Sequence, residues 1–150
     1  MYRAMLPATL LVAASAGLVV PATATADDDR ARTAACDFGR EVTNYDYSEI
    51  EGYFQRVLDR TTGGFHDNFR DALPTLRTKL AGLHAHSNGN VVECTSGAGD
   101  DAQQAARLVV NQTVVTDETG REPRAGVWAF ALTLNRVGDS WLVSDLQNTE

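Results

Sequence analysis

Apolar residues recur with the period of a helix in the first half of the chain and with the period of a strand in the second. Ile50, Tyr53, Phe54, Val57 and Leu58 stand at i, i+3, i+4, i+7 and i+8, one apolar stripe on an amphipathic helix. Ser48, three residues before Glu51, has the layout of a capping box, and Tyr47 beside it can close the helix start as a hydrophobic staple. Gly63 and Gly64 supply left-handed conformations that stop a helix, so the spacing predicts a helix over 48–62. Phe65, Phe69, Ala72, Leu73, Leu76, Leu80 and Leu83 predict the next helix. Pro74 lies inside it and cannot donate to the preceding turn, which predicts a kink or brief break. Ser87-Asn88-Gly89-Asn90 is expected to end it. Upstream, Ala34, Ala35, Phe38 and Val42 predict a weaker helix over 33–43, after a flexible acidic segment at 27–32.

From Val91 onward the pattern is that of strands. Expected strands run from Val91 to Ser96, Leu108 to Val115, Val127 to Val137 and Trp141 to Leu146. In the third, Trp128, Phe130, Leu132 and Leu134 share one face, and Ala129, Ala131, Thr133 and Asn135 share the other. The large face is expected to meet the helices. Ala129, Ala131 and Thr133 on the opposite face would permit close approach of a partner or a second copy. Gly138-Asp139 reads as a tight hairpin turn. Helices followed by antiparallel strands define an α+β layout, with the helices packed on one curved sheet of about four strands.

The ends and composition narrow the class. Arg3, the 11 apolar-run residues Leu10 to Val20, Pro21 and Ala24-Thr25-Ala26 have the three-part layout of a signal peptide, cleaved after Ala26. The alternative is an uncleaved membrane anchor, for which the run is short of the roughly 20 residues a spanning helix needs. Cleavage leaves 124 residues, one domain over 33–150, with 20 acidic against 12 basic residues and a net charge of −8. That balance excludes nucleic acid, whose binding rests on neutralising phosphates, and disfavours anionic lipid headgroups. Cys36 and Cys94 are the two cysteines, and in an exported chain an even pair is expected to form a disulfide.

The order DY-x(5)-Y-x(3)-VL-x(2)-TTG-x-F, carried by Asp46, Tyr47, Tyr53, Val57, Leu58, Thr62, Gly63 and Phe65, resembles the Mce-associated proteins of actinobacteria. Later echoes are 110–114 and the span Leu132 to Leu142 with its continuation to Leu146. The resemblance implies an NTF2-like cone and an accessory role beside an Mce-type lipid or sterol importer, with Mce subunits as partners. Family members are usually membrane-anchored and lack the cysteine pair, and on both points this chain departs.

A cone of this kind encloses a pocket between helices and sheet. Tyr53, Phe54, Trp128, Phe130 and Asp145 are its candidate lining, open to an apolar small ligand. An isomerase-like enzyme would need a buried carboxylate near a tyrosine hydroxyl, for which Asp145, Tyr45, Tyr47, Tyr53 and His66 are the available groups. A regular register puts Asp145 on the Trp141–Val143 face; a bulge puts it in solvent. His84 and His86 form an H-x-H pair at a helix end, where two such side chains diverge, and no further ligands are near. Asn111-Gln112-Thr113 matches a glycosylation acceptor but sits within a strand. No nucleophile elbow, Cys–His dyad or phosphate-cradling loop is present. The expectation is therefore no catalytic, cofactor or metal residues, with the small-molecule binder or isomerase-like enzyme as the alternative.

Overall fold

The computed structural model describes residues 22–149. Nearly all of the expected leader, 1–26, lies outside them. Helix α1 spans Ala22–Thr43, α2 Ile50–Leu58 and α3 Gly63–Gly82. Strands β1 (Tyr45–Asp46), β2 (His86–Gly99), β3 (Gln103–Val115), β4 (Arg124–Val137) and β5 (Ser140–Asn148) form one antiparallel sheet in the order β1-β2-β3-β4-β5. The α+β layout stands. The sheet has five strands rather than four, because Tyr45-Asp46 pairs with Ser87 and His86.

Segment 27–32, expected to be flexible, is helical and continuous with α1. Asp27–Arg30, Asp29–Arg32 and Asp37–Arg40 form pairs spaced i,i+3 along it. Ala31, Ala35 and Phe38 are buried on one side. A small-residue face lets α1 lie close to the sheet. The approach is tight at Gly39, where an added Cβ would stand 2.8 Å from Leu108 Cδ1 and 3.0 Å from Val91 Cγ2. The Cys36–Cys94 disulfide ties α1 to β2 across 58 residues, with Cα atoms 5.7 Å apart. Chain entropy values such a closure at about 4 kcal/mol.

Ile50, Tyr53, Phe54 and Val57 are buried, the stripe the spacing predicted. The start of that segment differs. Ser48 and Glu51 do not form a capping box: Asp46 accepts from Ser48 N at 2.8 Å and caps a 3-10 turn over Tyr47–Glu49, and Glu51 pairs with Arg77 of α3. The helix ends at Leu58, and Thr61 bridges in parallel to Val143, with Thr62 N donating to Val143 O. Gly63, at φ +58°, then opens α3. That helix runs unbroken through Pro74, with the Thr78 hydroxyl donating to the Pro74 carbonyl. Residues 87–90, expected as a helix end, are strand: α3 stops at Gly82, His84 turns at φ +46°, and β2 begins at His86. Buried Ser87 explains the change, since its hydroxyl donates to Thr43 O at 2.7 Å.

The core lies between α1, α2 and the inner sheet face, around Phe38, Phe54, Val57, Leu108, Val110, Leu132, Leu134 and Val143. Helix α3 covers the side of this core with half-buried residues only: Phe65, Phe69, Leu73, Leu76 and Leu80.

Candidate functional site

Inside the cone, Tyr53 is buried and its hydroxyl donates to Val42 O at 2.9 Å. Burial raises its pKa well above the ordinary phenol range, and raises that of neighbouring Tyr45 as well. The two rings lie 5.0 Å apart. Phe54 fills the space beneath α3, edge-on to Phe69 at 6.0 Å, with the Arg77 guanidinium 5.8 Å over its other side.

The remaining expected lining residues do not join them. Leu132 pairs with Leu146, Thr133 with Asp145, and Leu134 with Val143, so Ser144 is an extra residue on β5. This bulge reverses the alternation: Leu146 turns inward beside Leu132, and Asp145 turns to the outer face, exposed, accepting from Gln147. Of the two registers open to Asp145, the bulged one is realised. Trp128, expected to be inward and covered by helices, is 43 % exposed. Phe130 is half-buried. No carboxylate converges on a tyrosine hydroxyl among these residues. His66 Nδ1 stands 3.0 Å from the Thr61 hydroxyl.

The outer face also differs from expectation. Ala129 is only 5 % exposed, and its carbonyl accepts from the Thr149 backbone N–H at 2.9 Å as the chain end continues alongside β4. Ala131 remains exposed and Thr133 half-exposed, with Val127, 66 % exposed, two residues beyond Ala129.

The two histidines separate, each toward an aspartate. His84 pairs with Asp117, which also accepts from Arg121, while His86 Nδ1 lies 3.0 Å from Asp46 Oδ2. Tyr47, expected as a staple, is exposed and edge-on to His84 at 4.8 Å. Hydrogen bonds from the Ser48 hydroxyl, the Ser48 N–H and His86 draw the Asp46 pKa down to about 2. Among the described residues no cluster of three metal-ligating side chains occurs.

A cleft of about 470 Å³ opens elsewhere, between α1, the α2–α3 connection at Asp59-Arg60 and the start of β5. Trp141 contributes to its wall. This residue is 6 % exposed, and its indole N–H is buried with no hydrogen-bond partner among the described residues. The sequence places Trp141 in the last strand and gives no sign of the cleft, because no local pattern reveals an unpaired donor.

Three helices on a curled, five-stranded antiparallel sheet define the NTF2-like class of α+β domains. Solved structures share this fold. VirB8 of Agrobacterium tumefaciens is 15 % identical, with a TM-score of 0.61, over 83 % of this chain and 93 % of that one. The periplasmic domain of DotI is 11 % identical, with a TM-score of 0.65, over 81 % and 94 %. An NTF2-like protein involved in plasmid conjugation is 12 % identical, with a TM-score of 0.54, over 83 % and 49 %. No protein-family model matches the sequence, and no curated protein matches it.

Proposed function

We propose that this chain is a non-catalytic, exported accessory protein that binds other proteins of a cell-envelope assembly, and that the assembly is an Mce-type lipid or sterol importer. The observation that carries the reading is the division of the cone's polar groups: Tyr53 is committed to Val42 O while the Ser144 bulge sends Asp145 to the opposite face. A general base and its hydrogen-bonding partner must converge on one substrate atom. The likeness in fold to VirB8 and the periplasmic domain of DotI supports an envelope setting. Specific support for an Mce importer comes from the ordered motif between Asp46 and Phe65. The leader ending at Ala26 is the export signal in this reading. Ala131, Thr133 and Val127 on the outer sheet face offer a docking surface for a partner or for a second copy of the chain.

Cross-linking in the native envelope, followed by affinity purification and mass spectrometry, tests the proposal. Recovery of Mce substrate-binding or permease subunits is the expected result. Recovery of the protein alone, processed and released, overturns it.

A second reading, a binder of small apolar molecules, is favoured by α3, whose five large apolar residues are only half-buried, Phe69 edge-on to Phe54. Saturable uptake of a fluorescent apolar probe, weakened by Leu76→Glu, would support it. Absence of uptake would remove it.

A further inference from the structure

The start of β5 combines an open sheet edge with a buried donor that has no acceptor among the described residues. Strand β5 is the last in the sheet, and β4 pairs with one of its edges. On its other edge, Val143 N donates to Arg60 O and Val143 O accepts from Thr62 N. Backbone groups of an antiparallel strand point to alternate sides with a period of two. Trp141 therefore presents its N–H and C=O to the same open side as Val143, and this is where the cleft lies. Thr61 already makes a one-residue bridge to that edge, and at Trp141 the position is vacant among the described residues. Trp141 lines the cleft, and its indole N–H is a further donor, buried and unpaired among the described residues. A buried donor left unpaired is destabilising, and a ligand's acceptor atom would recover that cost.

Charge restricts what enters. Asp29, Asp37, Asp59 and Asp139 line the cleft against Arg30 and Arg60. Arg30 donates to Asp139 O at 2.8 Å, and Arg60 lies 3.7 and 3.8 Å from Glu41 and Asp37. Both guanidiniums are thus engaged within the chain; Asp29 and Asp37 are likewise paired, with Arg32 and Arg40, which leaves Asp59 and Asp139 as the lining carboxylates that no arginine side chain neutralises.

We propose that this cleft takes a short, extended, positively charged segment of a partner protein, which adds to the edge of β5 at Trp141 and accepts the indole N–H. Main-chain bonds to a free edge give affinity, and the flanking carboxylates select the sign of the side chains. The inference rests on reading the chain as a protein-binding module. Its test uses the purified protein alone, so its outcome is separate from which subunits are recovered from the envelope.

The chain has two tryptophans, hence two indole N–H signals in a ¹⁵N-correlated NMR spectrum, and Trp128→Phe assigns them without touching the cleft. The probes are three end-blocked tripeptides: Lys-Val-Lys, Glu-Val-Glu, and Lys-Val-Lys with its central amide N-methylated. Lys-Val-Lys should shift the Trp141 signal and leave Trp128 in place. Asp59→Asn and Asp139→Asn should each weaken this binding about two- to fivefold, as expected for exposed charges. The acidic and N-methylated peptides should bind far more weakly. No shift at Trp141, an equal shift with Glu-Val-Glu, or undiminished binding of the N-methylated peptide would each overturn the proposal.

Discussion

The side chain of Asn44 pairs with the backbone of Gly89 as a strand residue would. Asn44 Nδ2 donates to Gly89 O at 3.0 Å, and Asn44 Oδ1 accepts from Gly89 N at 3.0 Å. Tyr45 and Asp46 then continue the pairing through their backbones with Ser87 and His86. The carboxamide thus carries the end of α1 into the sheet.

Asn44→Ala removes both bonds and leaves the two partly buried Gly89 groups unpaired. A loss of about 1–3 kcal/mol in stability, measured by urea unfolding, is expected. Asn44→Asp keeps the acceptor and loses the donor, so it should fall between Ala and the natural residue.

Two helical glycines should respond with opposite signs to the same substitution. At Gly39 a new methyl meets Leu108 at 2.8 Å, and the buried leucine has little room to yield. Overpacking of this kind costs about 1–3 kcal/mol, more than the roughly 1 kcal/mol that alanine contributes to a helix. At Gly52 the nearest atom is Arg56 Nη1, 3.4 Å away at the end of a flexible side chain. Thermal unfolding should show Gly39→Ala destabilised and Gly52→Ala stabilised by up to about 1 kcal/mol.

Replacing Cys36 and Cys94 together by alanine should lower stability by about 4 kcal/mol if closure of the 58-residue loop acts through the unfolded chain. Equal unfolding midpoints for oxidised and reduced natural protein would contradict the estimate.

Asp46 sets an acid dependence. Its folded pKa of about 2 lies below the ordinary 3.8, so the unfolded chain binds its proton first as pH falls. The contribution is complete above about pH 4 and disappears as pH falls through the folded value of about 2. Asp46→Asn should flatten the stability profile in that window and leave its shape at neutral pH unchanged. A profile unaltered between the two values would refute the assignment.

Helix identities were legible wherever a stripe was strong. Ile50, Tyr53, Phe54 and Val57 became core as their spacing predicted, and the Gly138-Asp139 hairpin joins β4 to β5 with Gly138 at φ +61°. Legibility failed where side chains satisfy distant backbone groups. Ser87 and Gly89 look like turn residues in sequence, yet bonds from Ser87 to Thr43 and between Gly89 and Asn44 hold them in a strand. The acidic run at 27–32 looked solvated, and its i,i+3 pairs with Ala31 beneath make it helix instead.

Sequence by itself determined the α+β class, the amphipathic stripe of α2 and the cysteine pair, because periodicity and residue chemistry are local quantities. Tertiary structure alone decided which face Asp145 takes, how far the helices cover β4, and that Trp141 has an unpaired donor beside an open edge. Each of these depends on register and on contacts between residues far apart in the chain. A single extra residue, Ser144, reverses every side chain beyond it relative to the facing strand.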